Sequence, residues 1–551
     1  MNISNTKLWE KSYPDGLSWD IAIEPISLPT MLARTVARHP DRDAIDYRGH
    51  LISYPELGRA VDRFAAALLA RAGVGPGMPI ALYLPNSPYH PITFLGSAKA
   101  GARLAQLSPL DAERELIHKL DDSGARILVT TNLPPLLPTA LRLLEAGRID
   151  LLIVGEDEAW GPAAVPHIEI PVRPGVVSYG DFIADVALPA VWPDLSADDI
   201  VLLQYTSGTT GKPKGAILTH GNLSAAVQIY GAWSTAQEKS RGPETQQRVI
   251  CVLPLFHIYA LSAVLLRQLD AGALILLRPR FDVDTVLRDI EVNRATLFPG
   301  VPTMWVALAN HPDIETRDLS SLRHCGSGGA PLPVEVAARF ERLAGLKLRG
   351  GWGMTETAAA GTGQLFDGPG KPDTIGLPLP AITLEVVALD DPSRILPIGE
   401  TGELRVKGPN VTQGYWQQAQ ATADSFTDGG LLTGDIGYMD ADGYVFIVDR
   451  KKDMIISGGF NVYPQMIEQA IYEHPGIEEA LVIGIPDQYR GEAAKAFVKL
   501  REGAADLTIE ELREFLVDKI ARYALPVALE IREALPRTAV GKLSKKELRG
   551  P

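Results

Sequence analysis

Residues 205–220 read YTSGTTGKPKGAILTH, a cluster of small and hydroxyl-bearing residues that is followed by Lys212 and Lys214. The apolar residues before it, IVLLQY at 200–205, predict a strand that ends where the cluster begins. Backbone N–H groups in such a loop can approach an anion closely, and the hydroxyls add donors. The cluster therefore predicts a polyphosphate site in which Lys214 supplies compensating charge. A surface turn is the alternative that composition alone leaves open.

Toward the N-terminus, residues 28–190 alternate between helix and strand patterns. The stretch SYPELGRAVDRFAAALLARAG begins with a capping box formed by Ser53 and Glu56, carries apolar residues at helical spacing and ends at Gly73. A strand is expected at 80–84, and two more helix–strand units end in ARILVTT and DLLIVG. This alternation predicts an α/β fold with largely parallel β-sheets that helices cover on both faces.

Beyond residue 380 the pattern changes, which indicates two further units. Short strands separated by Gly, Pro and Asp turns predict a β-rich subdomain up to about residue 450, and the final hundred residues predict a small α+β unit. The charged DRKKD sequence between them is typical of an exposed connector. We therefore expect an N-terminal domain over 1–449, a hinge at 450–453 and a C-terminal domain over 454–551.

Composition narrows the class of protein. The 551 residues include 67 acidic and 53 basic ones, and the net charge of −14 argues against nucleic acid as a partner. Cys251 and Cys325 are the two cysteines, too few for a disulfide scaffold, and both are expected to be buried thiols. The N-terminus lacks a signal-peptide pattern, and the apolar stretch 261–277 is interrupted by charges. We expect a cytoplasmic protein with no transmembrane segment.

The loop at 205–220 resembles the signature loop of the adenylate-forming superfamily, which includes acyl-CoA synthetases, firefly luciferase and the adenylation domains of peptide synthetases. Six more motifs are similar to those of the superfamily and follow its order along nearly the whole chain. They are LPLFHIYAL at 253–261, GSGGAPLP at 326–333, GGWGMTET at 350–357, LLTGDIGYMDADGYVFIVDRKKDMI at 431–455, SGGFNVYPQMIE at 457–468 and PRTAVGKL at 536–543. The set most resembles bacterial medium- and long-chain fatty acyl-CoA ligases.

The resemblance implies a large N-terminal domain, a small mobile C-terminal lid and a reaction in two halves. A carboxylate attacks the α-phosphorus of ATP to give an acyl-adenylate and pyrophosphate, and the thiol of CoA then displaces AMP. ATP, Mg²⁺ and CoA are the implied cofactors. Lys542, Glu356, Thr206 and His257 are the implied catalytic residues: Glu356 binds Mg²⁺, Lys542 bridges the carboxylate and the α-phosphate, and His257 lies near the reacting carboxylate.

The same resemblance distributes nucleotide binding over many positions. Asp435 is expected to accept hydrogen bonds from the ribose hydroxyls, and Arg450 to lie near the ribose and phosphate. Trp352 stands where relatives have Tyr, and we expect it to stack on adenine. The implied nucleotide-binding residues are Thr206, Ser207, Gly208, Thr209, Thr210, Gly211, Lys214, Gly328, Gly329, Ala330, Gly351, Trp352, Gly353, Thr355, Glu356, Asp435, Arg450 and Lys542.

Three further sites follow from the resemblance. Lys452 is the implied hinge residue, and the implied tunnel for CoA comprises Gly458, Gly459 and Phe460. The apolar VPTMWVAL segment at 301–308 is expected to line an acyl pocket without an obvious fixed charge, which favours an apolar acid. The other expected pocket residues are Tyr230, Trp233, His257, Gly328 and Gly353.

These observations favour a ligase that joins a hydrophobic carboxylic acid, a medium- or long-chain fatty acid, to CoA. Aryl or dicarboxylic acids remain open as substrates, as does a separate carrier protein as the acyl acceptor. The alternative to an enzyme is a scaffold protein that binds a nucleotide and catalyses no reaction. A homodimer and a lysine acetyltransferase that modifies Lys542 are further partner hypotheses.

Overall fold

Two seven-stranded sheets form the frame of the N-terminal part of the chain. They are seen in a computed structural model that describes residues 8–162, 166–206, 213–237, 246–329, 334–366, 370–371, 373–457, 460–537 and 543–549.

In the first sheet every neighbouring pair of strands is parallel except the last, a hairpin that connects Ile200–Thr206 to Lys214–Thr219. In this hairpin Thr206 lies opposite Lys214, the two residues that flank positions 207–213 of the sequence. The strands follow one another across the sheet in the order Val176–Ser178, Leu151–Gly155, Ile127–Thr131, Pro79–Tyr83, Arg103–Leu107, Ile200–Thr206 and Lys214–Thr219.

The second sheet is also parallel except at one edge, where Asp43–Tyr47 and His50–Ser53 form an antiparallel hairpin. Its Leu274–Leu277 strand is buried along its whole length, as expected of a parallel strand that is covered on both faces. The strand order is Leu348–Gly350, His324–Ser327, Leu297–Gly300, Arg248–Cys251, Leu274–Leu277, Asp43–Tyr47 and His50–Ser53.

Alternate residues of these strands enter different hydrophobic clusters, because side chains in a strand point to opposite faces. Ile80 of the first sheet and Ile275 of the second belong to the largest cluster, which therefore contacts both sheets. Ala81 and Leu276 belong to two smaller clusters on the outer faces. The N-terminal core is thus layered, with helices on the sheet faces as the sequence predicts.

The helices include the one predicted from the capping box, which runs from Tyr54 to Arg71. Ser53 Oγ accepts from the Glu56 backbone N–H at 3.3 Å, Glu56 Oε2 accepts from the Ser53 backbone N–H at 2.8 Å, and Gly73 has a φ of +61°. The α-helices are Leu28–Arg38, Tyr54–Arg71, Tyr89–Lys99, Glu113–Ser123, Leu137–Glu145, Tyr179–Ile183, His220–Gln237, Arg267–Asp270, Val283–Glu291, Pro302–Ala309, Val334–Ala344, Ala419–Asp424, Pro464–Tyr472 and Ile509–Leu516.

Single-turn 3₁₀ helices and one π-helix complete the helical structure of the described residues. The π-helix, Tyr259–Leu266, follows the LPLF sequence and begins two residues after His257. The 3₁₀ helices are Leu8–Ser12, Asp157–Trp160, Ile314–Thr316, Thr355–Thr357, Arg522–Ala524 and Lys546–Leu548.

The β-rich subdomain that the sequence predicts is an antiparallel five-stranded sheet. The long central strand Gly430–Met439 pairs with three others, and a separate two-stranded ribbon pairs Thr362–Gly363 with Leu377–Pro378. The five strands are Thr383–Val387, Gly402–Lys407, Phe426–Thr427, Gly430–Met439 and Val445–Arg450.

After Arg450 the chain enters a second five-stranded sheet with its own hydrophobic cluster. The domain boundary at 450–453 stays a prediction. Asp449 and Gln465 lie on opposite sides of it and are hydrogen-bonded, with Asp449 Oδ2 accepting from the Gln465 backbone N–H at 2.9 Å. The strands of this sheet are Ile455–Ser457, Phe460–Val462, Ile477–Asp487, Gly491–Leu500 and Ala528–Ile531.

Cys251 and Cys325 are buried free thiols, as predicted. The 261–277 stretch divides among the π-helix, the Arg267–Asp270 helix and the Leu274–Leu277 strand. Among the described residues, none of the helices has both the length and the apolar character that a membrane span needs.

We predict that Phe298→Ala lowers the free energy of unfolding by about 3–5 kcal/mol, because it leaves a cavity in a packed core. Phe298 is fully buried, and its ring centroid lies 4.7 Å from that of Trp305. Chemical denaturation followed by circular dichroism measures the change. Val172→Ala is the control, since Val172 is fully exposed. A loss below about 1 kcal/mol for Phe298→Ala would contradict this packing.

Candidate functional site

The predicted phosphate loop leaves and re-enters the first sheet at Thr206 and Lys214. Both residues are partly buried, and the Lys214 Nζ lies 5.4 Å from the ring centroid of Tyr415. Thr206 ends a strand that is parallel to its inner neighbour, so Thr206 lies at the carboxyl edge of the sheet, where ligands of α/β proteins commonly bind. The predicted residues Ser207, Gly208, Thr209, Thr210 and Gly211 lie outside the described residues.

The GGWGMTET sequence forms a tight turn at the carboxyl edge of the second sheet, directly after the Leu348–Gly350 strand. The Trp352 backbone N–H donates to Thr362 Oγ1 at 3.1 Å, and the Trp352 carbonyl accepts from the Thr362 backbone N–H at 2.8 Å. A Cβ added at Gly353 would overlap the carbonyl oxygen of Ala359, and one at Gly351 would lie 2.6 Å from the Thr362 carbonyl oxygen. Close backbone approach therefore requires glycine at both predicted positions.

This turn places Glu356 in the interior, with 6% of the residue exposed. Its Oε1 accepts a 2.8 Å hydrogen bond from the Tyr415 hydroxyl, and its backbone carbonyl accepts from the Thr412 N–H at 2.7 Å. Burial raises the pKa of Glu356, while the Tyr415 bond and the charge of Arg450 act in the opposite direction. Glu356 is thus a desolvated carboxyl group whose ionised form is supported by a neutral donor.

Asp435 is a second buried carboxyl group, also 6% exposed. The Trp352 indole N–H donates to its Oδ2 at 2.8 Å, and Arg450 Nε lies 2.8 Å from its Oδ1. Arg450 is its partner on the neighbouring antiparallel strand, which explains the short ion pair. Burial raises the pKa of Asp435, whereas Arg450 and the indole N–H lower it.

The bond between Trp352 and Asp435 was not expected from the sequence, which predicts only stacking for Trp352. None of the sequence motifs includes Tyr415. The GYW sequence around Tyr415 carries no local signal for a role at Glu356, because that role arises from a contact between positions 59 residues apart.

The structure also contains an apolar cavity of about 300 Å³. Of the five predicted acyl-pocket residues His257 lines it, together with Gly329 from the nucleotide set and with Val301 and Met304 from the VPTMWVAL segment. The full lining is Pro85, Asn86, Pro109, Leu110, Val252, Leu253, Pro254, Phe256, His257, Tyr259, Ala260, Pro279, Arg280, Phe281, Val301, Met304 and Gly329.

The other four expected pocket residues are not part of this lining. The Tyr230 hydroxyl donates to the Ala359 carbonyl at 2.7 Å, and Trp233 is buried with its ring edge-on to Tyr13, 5.5 Å between centroids. A Cβ at Gly328 would lie 3.0 Å from the Tyr259 ring. Tyr230 and Gly353 thus both lie against Ala359, two residues after the GGWGMTET sequence. Trp233 packs on Tyr13, and Gly328 packs against a residue of the cavity wall.

Several predicted residues near the C-terminus and in the nucleotide set fall on positions that the structure does not describe: Ala330, Gly458, Gly459 and Lys542. Their roles, and acetylation of Lys542, stay predictions. Phe460 is described, is 54% exposed and stacks on Tyr523 with 4.6 Å between ring centroids.

Comparison with known proteins agrees with this geometry. The profile of the AMP-binding enzyme family matches residues 32–416, and that of the AMP-binding enzyme C-terminal domain matches 466–542. The chain is 35% identical to a long-chain-fatty-acid–CoA ligase of Bacillus subtilis (strain 168), covering 99% of this chain and 98% of that one. It is 38% identical to a feruloyl-CoA synthase of an Amycolatopsis species, covering 94% and 97%.

The fold is similar to that of a solved structure, ATP-bound MatB from Rhodopseudomonas palustris. The two share a TM-score of 0.84 at 29% identity, with 95% of this chain and 98% of that chain covered.

We predict that Gly353→Ala lowers the free energy of unfolding by about 1–3 kcal/mol, because the added methyl group forces the turn apart. Gly231→Ala introduces the same methyl group in the His220–Gln237 helix, where nothing lies within 4 Å of the new Cβ. This control should be neutral or stabilising by up to about 1 kcal/mol. Chemical denaturation of both variants makes the comparison, and equal stabilities would contradict the packing at Gly353.

Proposed function

Because the chain belongs to the AMP-binding enzyme family, we propose that this AMP-forming acyl-CoA ligase activates a hydrophobic carboxylic acid, a medium- or long-chain fatty acid. ATP, Mg²⁺ and CoA are the cofactors of the ligase reaction. The observation that supports the choice of acid is the apolar cavity beside His257 and Gly329. Apolar walls favour a chain of methylene groups over a zwitterionic amino acid, since an unpaired buried charge is costly.

The lining of this cavity contains one side chain of the Lys, Arg, Asp and Glu group, that of Arg280, which is exposed. An acid with an apolar body therefore meets a single cation at the solvent end of the cavity. The relative named feruloyl-CoA synthase supports an aryl acid as the second candidate, because its identity of 38% exceeds the 35% of the Bacillus ligase. A dicarboxylic acid is the third candidate, with its second carboxylate at Arg280.

The first half-reaction brings one anion to another, so cations and hydrogen-bond donors must offset the repulsion. In the proposed arrangement Lys214 and the 207–212 loop hold the β- and γ-phosphates. Lys542 bridges the acid and the α-phosphate. Thr355 contacts phosphate, and His257 orients the carboxylate at the inner end of the cavity.

Glu356 fits a Mg²⁺ ion that arrives with ATP. Mg²⁺ is usually held by one or two carboxylates together with phosphate oxygens, and Glu356 offers one buried carboxylate. In the part of the chain that the structure describes, no cluster of three or more His, Cys, Asp or Glu could hold a metal without a nucleotide. Mg²⁺ bound at Glu356 would neutralise phosphate charge.

The ribose is assigned to Asp435, whose two carboxylate oxygens suit two hydroxyl donors. Both oxygens already have a protein partner, and an oxygen can accept more than one hydrogen bond. Trp352 and Arg450 therefore hold the carboxylate in place while the adenine stacks on the indole.

In the second half-reaction the CoA thiol displaces AMP. We assign Lys452 to the hinge about which the C-terminal domain turns, and Gly458, Gly459 and Phe460 to the passage for the pantetheine arm. The exposed ring of Phe460 is accessible for such a contact.

Pyrophosphate release with ATP and Mg²⁺ tests the proposal across fatty acids of increasing length, ferulate, benzoate and a dicarboxylate, each with and without CoA. We expect CoA-dependent turnover with kcat/KM highest for an unbranched fatty acid. A maximum on ferulate or a dicarboxylate would move the assignment to that class. Release that does not respond to CoA would indicate a carrier protein as acceptor, and no release with any acid would indicate a nucleotide-binding scaffold.

We predict that Ala260→Leu, which fills part of the cavity, lowers kcat/KM for the longest accepted fatty acid by about 10-fold or more and spares the shortest. Ala260 is buried and lines the cavity. Ala263→Leu is the matched control, since Ala263 belongs to the same π-helix and does not belong to the cavity lining. An equal loss for all chain lengths in Ala260→Leu would assign the acyl chain to another place.

A further inference from the structure

The segment 412–416 of the β-rich subdomain is attached to both sides of the candidate site. The Thr412 N–H donates to the Glu356 carbonyl, and Thr412 Oγ1 donates to the Ile217 carbonyl at 2.6 Å. The Ile217 N–H donates to the Gly414 carbonyl at 2.9 Å, and the Trp416 N–H to the Gly215 carbonyl at 2.8 Å. The backbone of the intervening Tyr415 is therefore fixed on the strand that begins at Lys214.

Two additional contacts restrict this segment. Gly414 has a φ of +137°, and a Cβ there would overlap the side chain of Thr422. The Tyr415 N–H donates to Thr422 Oγ1 at 3.0 Å. Hydrogen bonds of the backbone on both sides of Tyr415 thus set the direction in which its side chain points.

The Tyr415 side chain contacts two of the residues that the proposed function uses. Its hydroxyl donates to Glu356 Oε1, and its ring faces the Lys214 ammonium at 5.4 Å, within the range of a cation–π contact. One side chain thereby joins the lysine of the phosphate loop to the buried carboxylate. Among the described residues, Tyr415 is the one whose side chain donates a hydrogen bond to that carboxylate.

We propose that Tyr415 is a positioning residue for metal binding: it holds Glu356 Oε1 so that the carboxylate presents its other oxygen to the nucleotide-bound Mg²⁺, and it aligns Lys214 with the phosphates of the same nucleotide. This proposal rests on the proposed function, in which Glu356 binds Mg²⁺. A carboxylate that is fixed by a hydrogen bond binds a metal more tightly than one that must first be oriented.

Tyr415→Phe tests the proposal, because it removes the donor and keeps the ring beneath Lys214. The metal is measured directly by electron paramagnetic resonance, with Mn²⁺ titrated into the enzyme complex with α,β-methylene-ATP. We expect the Mn²⁺ dissociation constant to rise about 10-fold. In steady-state assays the half-saturating Mg²⁺ concentration should rise similarly, while kcat at saturating Mg²⁺ stays within about threefold of the original.

Two variants frame the result. Tyr438→Phe is the control for losing a tyrosine hydroxyl in the same subdomain, since Tyr438 stacks on Phe446 with 4.8 Å between centroids, and it should leave both metal constants unchanged. Tyr415→Leu also removes the ring, and it should in addition raise the KM for ATP through Lys214. Thermal unfolding of each variant establishes that it is folded before metal binding is compared.

Glu356→Gln separates the failure of this inference from that of the proposed function. If Glu356→Gln weakens Mn²⁺ binding and Tyr415→Phe does not, Tyr415 has no positioning role and the proposed function stands. If Glu356→Gln also binds Mn²⁺ as the original enzyme does, the assignment of the metal to Glu356 is wrong. A fall in kcat that excess Mg²⁺ does not rescue in Tyr415→Phe would likewise overturn the inference.

Discussion

Two carboxyl groups, Glu356 and Asp435, are buried at the centre of the site. Burying a charge is costly unless the charge is paired or hydrogen-bonded, and burial accordingly raises the pKa of both groups. The protein compensates with two neutral donors, the Tyr415 hydroxyl and the Trp352 indole N–H, and with the cation Arg450. The elements that carry these groups must be rigid, because a displaced donor would leave a buried carboxylate unpaired.

This requirement explains why three parts of the chain meet here. The second sheet contributes the turn with Trp352 and Glu356, the β-rich subdomain contributes Tyr415, Asp435 and Arg450, and the hairpin of the first sheet contributes Lys214. The carboxyl edges of both parallel sheets face this region, which leaves backbone N–H groups and loops free for a nucleotide. The layered core below supplies the rigidity.

Local patterns predicted much of the fold. The helix that begins after Ser53 and the alternation of helices and strands depend on nearby residues, so periodicity and capping identify them. The same patterns do not identify side-chain contacts between distant positions. Asp435 lies 83 residues from Trp352, and their bond exists because the subdomain sheet packs on the turn. The helical stretch around Tyr230 and Trp233 is apolar on most sides, so its sequence does not say which side chains face an acyl pocket.

The proposed function depends on one chemical step, in which a hydrophobic carboxylate attacks the α-phosphorus of ATP beside these buried carboxylates and cations. Transfer of isotope from the acid measures this attack directly. A fatty acid labelled with ¹⁸O in its carboxyl group is turned over with ATP, Mg²⁺ and CoA, and the nucleotide and phosphate products are analysed by mass spectrometry. We expect AMP that carries one ¹⁸O atom, together with unlabelled pyrophosphate. Unlabelled AMP, or ADP formed with ¹⁸O in inorganic phosphate, would contradict the proposed step.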